Sequence, residues 1–323
     1  MSSMLVLGGT SWLGGLVARH GLESGLSVTC LARGASGSVP VGATLVPADR
    51  SAPGAYGPVS DRSWDVVVDV SWQPGFVRSA LAALAGRARA WVYVSSVSAY
   101  ADGLAPGSDE SAPLFPALAG DAAGPEDYGP AKVGCEEAVL SAFPSALVAR
   151  AGLLAGHGDR SDRFGYWPAR LSHEGPVLVP PREQPLQVLD ADDLASWLVS
   201  AGLSGSSGTV NAVGPAMTVG DAIDACAAAS GTHPLWHEAS EEWLLVHGVN
   251  PWMGPDSLPL WLPADDHGGM AVSDAAARAL GLTTRPLADT AAAALGWERE
   301  QGLDRPRRAG LGRAREAELL AQL

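Results

Sequence analysis

Short, continuous apolar runs alternate with stretches of helical period along the first 150 residues. The runs at 4–7, 27–31, 44–47, 66–70, 91–94 and 146–149 are too short for helices and lack polar alternation. That is the pattern of strands buried on both faces. Between them, 13–22, 77–85 and 131–142 place apolar residues at helical spacing. Strands alternating with helices predict βαβ units with right-handed crossovers. The expected fold is α/β, a doubly wound parallel Rossmann sheet.

The texture changes after Arg150. Residues 156–181 read as loop-rich and contain Phe164, Tyr166 and Trp167. A strand at 188–190 leads into a helix at 192–201, followed by a strand at 209–213 and a helix at 221–229. The segment 232–263 is rich in Trp and Pro, with Trp236, Trp243, Trp252 and Trp261. The predicted organisation is a dinucleotide-binding domain, 1–155, to which 184–213 returns. A smaller C-terminal substrate-binding domain takes 156–183 and 214–323. Residues 299–315 hold six arginines but run into Glu316 and Glu318, which reads as a solvated basic tail.

Composition narrows the function. A chain of 323 residues with 47% hydrophobic and 17% charged residues is globular and long enough for a large core. The net charge of −14 argues against a nucleic-acid partner, since such proteins carry a basic surplus. Apolar runs are too short for a membrane span. The first strand begins almost at once, with no leader-like pattern, and Cys30, Cys135 and Cys226 are widely separated. A reducing, cytoplasmic setting is expected. His233 and His237 flank Pro234 and lack further ligands nearby, so no metal is expected. Cys135 reads as a small buried residue, and His157 and His173 as loop histidines.

Candidate chemistry begins at Gly8-Gly9-Thr10-Ser11-Trp12-Leu13-Gly14, between the first strand and first helix. There a helix N-terminus can receive a pyrophosphate. Ser11 stands where a middle glycine is usual and offers a hydroxyl to phosphate. The second strand ends in Arg33, with no carboxylate. An arginine there suits a ribose 2′-phosphate, which favours NADP(H) over NAD(H). Asp49 and Ser71, ending the third and fourth strands, are candidates for the adenine amino group and the ribose.

Of the 21 basic residues, only Lys132 is lysine, and it follows Tyr128 by four positions. On a helix these share a face. An ammonium beside a phenol favours the phenolate, a general acid/base arrangement. Ser95 and Ser96 follow the fifth strand, where a hydroxyl can polarise a carbonyl.

The residues 8–14, Ser95-Ser96 with Tyr100, and Tyr128 with Lys132, in that order, resemble the extended short-chain dehydrogenase/reductases, including the NAD-dependent epimerase/dehydratase group. The resemblance extends to 187–195. It implies a catalytic Ser96, Tyr128 and Lys132, with Lys132 also holding the cofactor ribose, and a small-molecule substrate. A homodimer is a family-based expectation. Ser11-Trp12 resembles an atypical, actinobacterial-looking reductase branch, also similar to chloroplast stem-loop RNA-binding proteins. Dehydratases of the family carry Thr-Asp-Glu after the fifth strand, where this chain has Ser96-Val97-Ser98. Leu153 stands where nucleotide-sugar enzymes tend to have asparagine. The expected function is an NADP(H)-dependent oxidoreductase acting on a small carbonyl, imine or secondary alcohol. The alternatives are a sugar epimerase or dehydratase with tightly held NAD, and a non-enzymatic RNA-associated or regulatory binder. Phe164, Tyr166 and Trp167, with Trp252 and Trp261, are expected to wall the substrate pocket.

Overall fold

A computed structural model describes residues 2–323. Seven parallel strands form the main sheet: β1 (Ser3–Leu7), β2 (Ser27–Ala32), β3 (Thr44–Pro47), β4 (Trp64–Asp69), β5 (Ala88–Ser96), β6 (Leu147–Ala151) and β7 (Gly208–Ala212). Their spatial order is β7-β6-β5-β4-β1-β2-β3. The order reverses at β1, so the β1 and β4 carboxyl ends form a switch-point crevice, the usual ligand position in such sheets. The predicted doubly wound Rossmann fold is the one observed.

Helices cover both faces. α1 (Trp12–Glu23) packs against α5 (Ala191–Ser204) on one face, and α2 (Pro74–Leu84) against α3 (Tyr128–Ala142) on the other. Val6, Val28, Val68 and Val92 belong to the core under α1 and α5. Leu5, Leu7, Val67 and Tyr93 belong to the core under α2 and α3. Strand periodicity thus sends alternate side chains to opposite cores, which is why these strands read as unbroken apolar runs.

A separate core gathers α4 (Arg163–Leu171), α6 (Val219–Ser230) and α7 (Leu287–Gln301) with the strands Val177–Val179 and Leu186–Val188 of the Pro185–Asp190 strand. Three expectations fail here. The loop-rich stretch contains α4, whose residues from Phe164 to Leu171 are all buried; Gly165 and Pro168 inside it are the residues that made it read as loop. Arg305 and Arg307 do not belong to a solvated tail. They pair with the fully buried Glu298, and Arg305 also pairs with Asp162. Finally, the stretch does not end as a solvated tail: Arg313–Leu320 is a helix, anchored by the buried pair of Glu316 with Arg170.

Candidate functional site

The glycine loop works by close packing. Gly8 has φ +97°, a left-handed conformation that glycine adopts freely. A Cβ on Gly14 would lie 2.2 Å from the Gly8 carbonyl oxygen, and one on Gly9 would lie 2.4 Å from Cys30 Sγ. Any larger residue would force the loop off β2 and α1. Ser11 caps α1: its hydroxyl donates to the Gly8 carbonyl (2.8 Å) and accepts from Gly14 N–H (3.2 Å). The hydroxyl is therefore engaged within the loop, at the edge of the cleft it lines. The Trp12 and Leu13 N–H groups find no partner among the described residues, so the helix start presents free donors. Their side chains turn away. Trp12 Nε1 donates to the His157 carbonyl (2.9 Å), and Leu13 packs on the core.

A cleft of about 250 Å³ opens beside this loop at the ends of β1, β2, β3 and β4. It brings together Gly8, Thr10, Ser11, Arg33, Asp49 and Ser71. Arg33 is exposed and makes no ion pair among the described residues. Asp49 is exposed, and hydrogen bonds from the Ser51 N–H and hydroxyl hold its carboxyl below the usual carboxylate range. Sequence reasoning missed the floor of this cleft. Arg50 forms a bidentate pair with the buried Asp69 (2.9 and 2.7 Å) and also donates to Tyr56 Oη and the Phe76 carbonyl. An aspartate directly after the apolar run Val66–Val68 was the available signal for this pair.

The second cluster stands at the end of β5. Ser96 is its last residue, and its hydroxyl accepts from Ser98 N–H and donates to Ser98 Oγ, both at 3.1 Å. α3 starts at Tyr128, so Tyr128 and Lys132 lie one turn apart on it. Gly129 permits this placement: a Cβ there would meet the Ser98 carbonyl oxygen at 2.3 Å. Lys132 is 3% exposed. Its Nζ donates to the Val94 carbonyl (2.6 Å) and the Ser71 carbonyl (3.1 Å), and sits 5.8 Å from the Tyr128 ring centroid. Two of its three N–H donors are thus fixed and one remains. Trp72, which lines the cleft, packs against Tyr128 with ring centroids 5.5 Å apart.

A buried pair beneath fixes α3 to the sheet. Arg150 on β6 bonds Glu136 on α3 through Nε (3.0 Å) and Nη2 (2.7 Å), and Ser95 donates to the same carboxylate. Tyr93 Oη donates to the Ser71 carbonyl, so β5 and β4 are tied where Lys132 bonds them. Burial pushes the Cys135 thiol up, which leaves it inert beside this set.

A second cavity, of about 290 Å³, opens just past Ser96 in the chain, at Val97 and Ser98. Val97, Ser98, Tyr100 and Phe115 line it from the sheet side, and Trp252, Leu262 and Met270 from the C-terminal side. The aromatic residues expected on its wall are mostly elsewhere. Phe164 and Trp167 are fully buried in the C-terminal core, as is Trp261. Tyr166 is 2% exposed and faces a different hollow, between His173 and residues 303–313. The reason is that α4 is enclosed by α6 and α7, so its aromatics pack inward. Only Trp252 of that group reaches the cavity. Among the described residues there is no cluster of three metal-ligating side chains.

No protein-family pattern matches this chain, and no curated protein matches its sequence. Solved structures do match. An epimerase candidate from Burkholderia cenocepacia J2315 superposes with TM-score 0.72 at 19% identity, over 93% of this chain and 98% of its own. A UDP-glucuronic acid 4-epimerase from Bacillus cereus, solved with NAD, gives TM-score 0.68 at 14% identity over 93% of this chain and 99% of its own. WbmH from Bordetella bronchiseptica, solved with NAD+, gives 0.68 at 18% identity over 94% and 99%. The fold is shared with these proteins. It accounts for the sheet, the glycine loop and the C-terminal region within one architecture. No helix among the described residues is long and apolar enough to cross a membrane.

Proposed function

We propose that this chain is an extended short-chain dehydrogenase/reductase: a nicotinamide-dinucleotide enzyme that moves a hydride to or from a small carbonyl, imine or secondary alcohol. The observation that carries the reading is the placement of Lys132. The single lysine of the chain is buried, locked onto two strand-end carbonyls, and held one helical turn from Tyr128. A buried ammonium without a carboxylate partner needs a purpose to offset its desolvation.

The residues fit a dinucleotide. The glycine loop cannot take a Cβ at Gly9 or Gly14, the α1 start offers free N–H donors, and the cleft continues past Arg33 and Asp49. When bound there, the nicotinamide group supplies or accepts the hydride. Tyr128 then exchanges a proton with the substrate oxygen as general acid or base. Ser96 donates a hydrogen bond to that oxygen, which stabilises charge as it develops. Lys132 contributes positive charge beside the phenol and directs its remaining N–H toward ribose hydroxyls. Trp72 fixes the Tyr128 ring. Arg33, exposed in the cleft and without an acidic residue at the β2 end, supports NADP(H) as the preferred cofactor.

A second reading is an epimerase that returns its hydride to the same substrate and holds NAD tightly. The epimerase of the same fold solved with NAD, and the NAD+ complex of WbmH, support it. The experiment that separates the readings is incubation of the purified protein with NADPH and a panel of aldehydes and ketones. Net NADPH consumption, abolished by Tyr128→Phe, supports the reductase. NAD that copurifies, with no consumption of added NADPH, supports the epimerase.

A further inference from the structure

Arg163 breaks several local rules at once. It is the first residue of α4, where the helix dipole favours an acidic side chain and disfavours a cation. Its terminal nitrogens have no hydrogen-bond acceptor and no carboxylate within ion-pair distance among the described residues, and only Nε donates, to Ser161 Oγ at 3.3 Å. The nearby Asp159 is engaged: its oxygens accept from the Ser161 N–H (2.8 Å) and hydroxyl (2.9 Å). Burial holds the Arg163 guanidinium below the usual arginine range, and both Asp159 and Tyr128 lie close enough to act on its charge.

Its surroundings are those of a substrate site. The guanidinium lies over the Trp252 ring, 5.1 Å from the centroid, and Trp252 lines the cavity beside Ser98. Backbone strain delivers both partners. Asp162, immediately before Arg163, has φ 62°, and Trp252 has φ 64°, both left-handed conformations uncommon for non-glycine residues. Strain of this kind gathers at ligand-binding positions. The charged groups that line the cavity itself, Asp102, Asp265 and Asp266, are all exposed, and Arg163 reaches it through Trp252.

We infer that Arg163 is a specificity residue that pairs with a carboxylate on the substrate, orienting the opposite, carbonyl-bearing end toward Tyr128 and Ser96. The planar guanidinium suits a carboxylate bidentately. The aromatic and aliphatic walls suit a flat, aryl or alkyl body. The orientation rests on the enzyme reading above; the carboxylate pairing does not.

The test is calorimetric titration of the NADP+-loaded protein with benzoate and, separately, with benzamide, for wild type, Arg163→Gln and Arg163→Lys. The expected result is benzoate binding roughly tenfold to a hundredfold tighter than benzamide in wild type. That preference should vanish in Arg163→Gln and survive in part in Arg163→Lys. Equal binding of the two probes by wild type, or an unchanged preference in Arg163→Gln, overturns the inference. The enzyme reading is scored separately, by NADPH-dependent reduction of 4-carboxybenzaldehyde and its methyl ester. Reduction of neither, with the benzoate preference intact, fails that reading and leaves the carboxylate site standing.

Discussion

The cleft at the β1–β4 ends, whose Trp72 packs on Tyr128, and the cavity beside Trp252, whose wall begins at Val97 just after Ser96, are built differently. The first is assembled from short contiguous segments, each just past a strand: Gly8 to Ser11, Arg33 to Ser36, Asp49 with Arg50, and Ser71 with Trp72. Parallel sheet topology gathers such segments without further instruction, because every strand end points the same way. The second joins Val97 and Ser98 to Trp252, Leu262 and Met270, which lie more than 150 residues later in the chain. No local pattern marks those residues as neighbours. A site at strand ends is dictated by topology; a site between a sheet and a cap depends on how the cap packs.

That comparison can be broken most severely at Tyr128 and Lys132. Tyr128→Phe should lower turnover by about a hundredfold to ten-thousandfold while leaving the thermal transition unchanged. Lys132→Arg, which preserves the charge, should lose activity on a similar scale, because a planar fork cannot repeat the bonds to Val94 and Ser71. Wild-type rates in either variant would detach the chemistry from this pair.

Next in size are changes to the supports of each region. Glu136→Gln leaves the Arg150 guanidinium buried against a neutral partner and should destabilise the sheet side by about 3–5 kcal/mol, read by denaturant unfolding. Phe164→Ala should cost a comparable ~3–5 kcal/mol in the C-terminal core, with substrate preference unmoved, since the ring does not reach the cavity. A specificity change without loss of stability would return Phe164 to the pocket wall.

Smaller effects sharpen the contrast. Arg33→Ala should weaken NADPH by about tenfold and leave NADH nearly unchanged, as measured by nicotinamide fluorescence. Ser11→Ala removes the α1 cap and should cost about 1 kcal/mol of stability, whether or not dinucleotide is present.

The same contrast explains what could be read in advance. The central strands β1, β2 and β4 to β6 were legible because burial on both faces leaves a largely apolar run, and the register of Tyr128 and Lys132 follows from helix geometry alone. The helix boundaries needed little correction: α3 begins three residues before the apolar pattern does, with Gly129 and Pro130 in its first turn. The cap was less legible. α4 is short and carries Gly165 and Pro168, so it reads as loop, and Arg305 and Arg307 look like a solvated tail until Glu298 and Asp162 are seen beneath them. Phe164 and Trp167 resemble pocket aromatics in composition and become core residues through packing. Arg163 drew no notice because one arginine among many carries no signal. Its lack of a partner emerges only in three dimensions.

The central claim is that the cleft along the glycine loop is a dinucleotide site tuned for a 2′-phosphate. It is tested most directly by titrating the purified protein with NADPH and with NADH, following nicotinamide fluorescence. The account predicts saturable binding of NADPH at least about tenfold tighter than NADH, corresponding to roughly 1.4 kcal/mol. Binding of neither cofactor, or tighter binding of NADH, would contradict it.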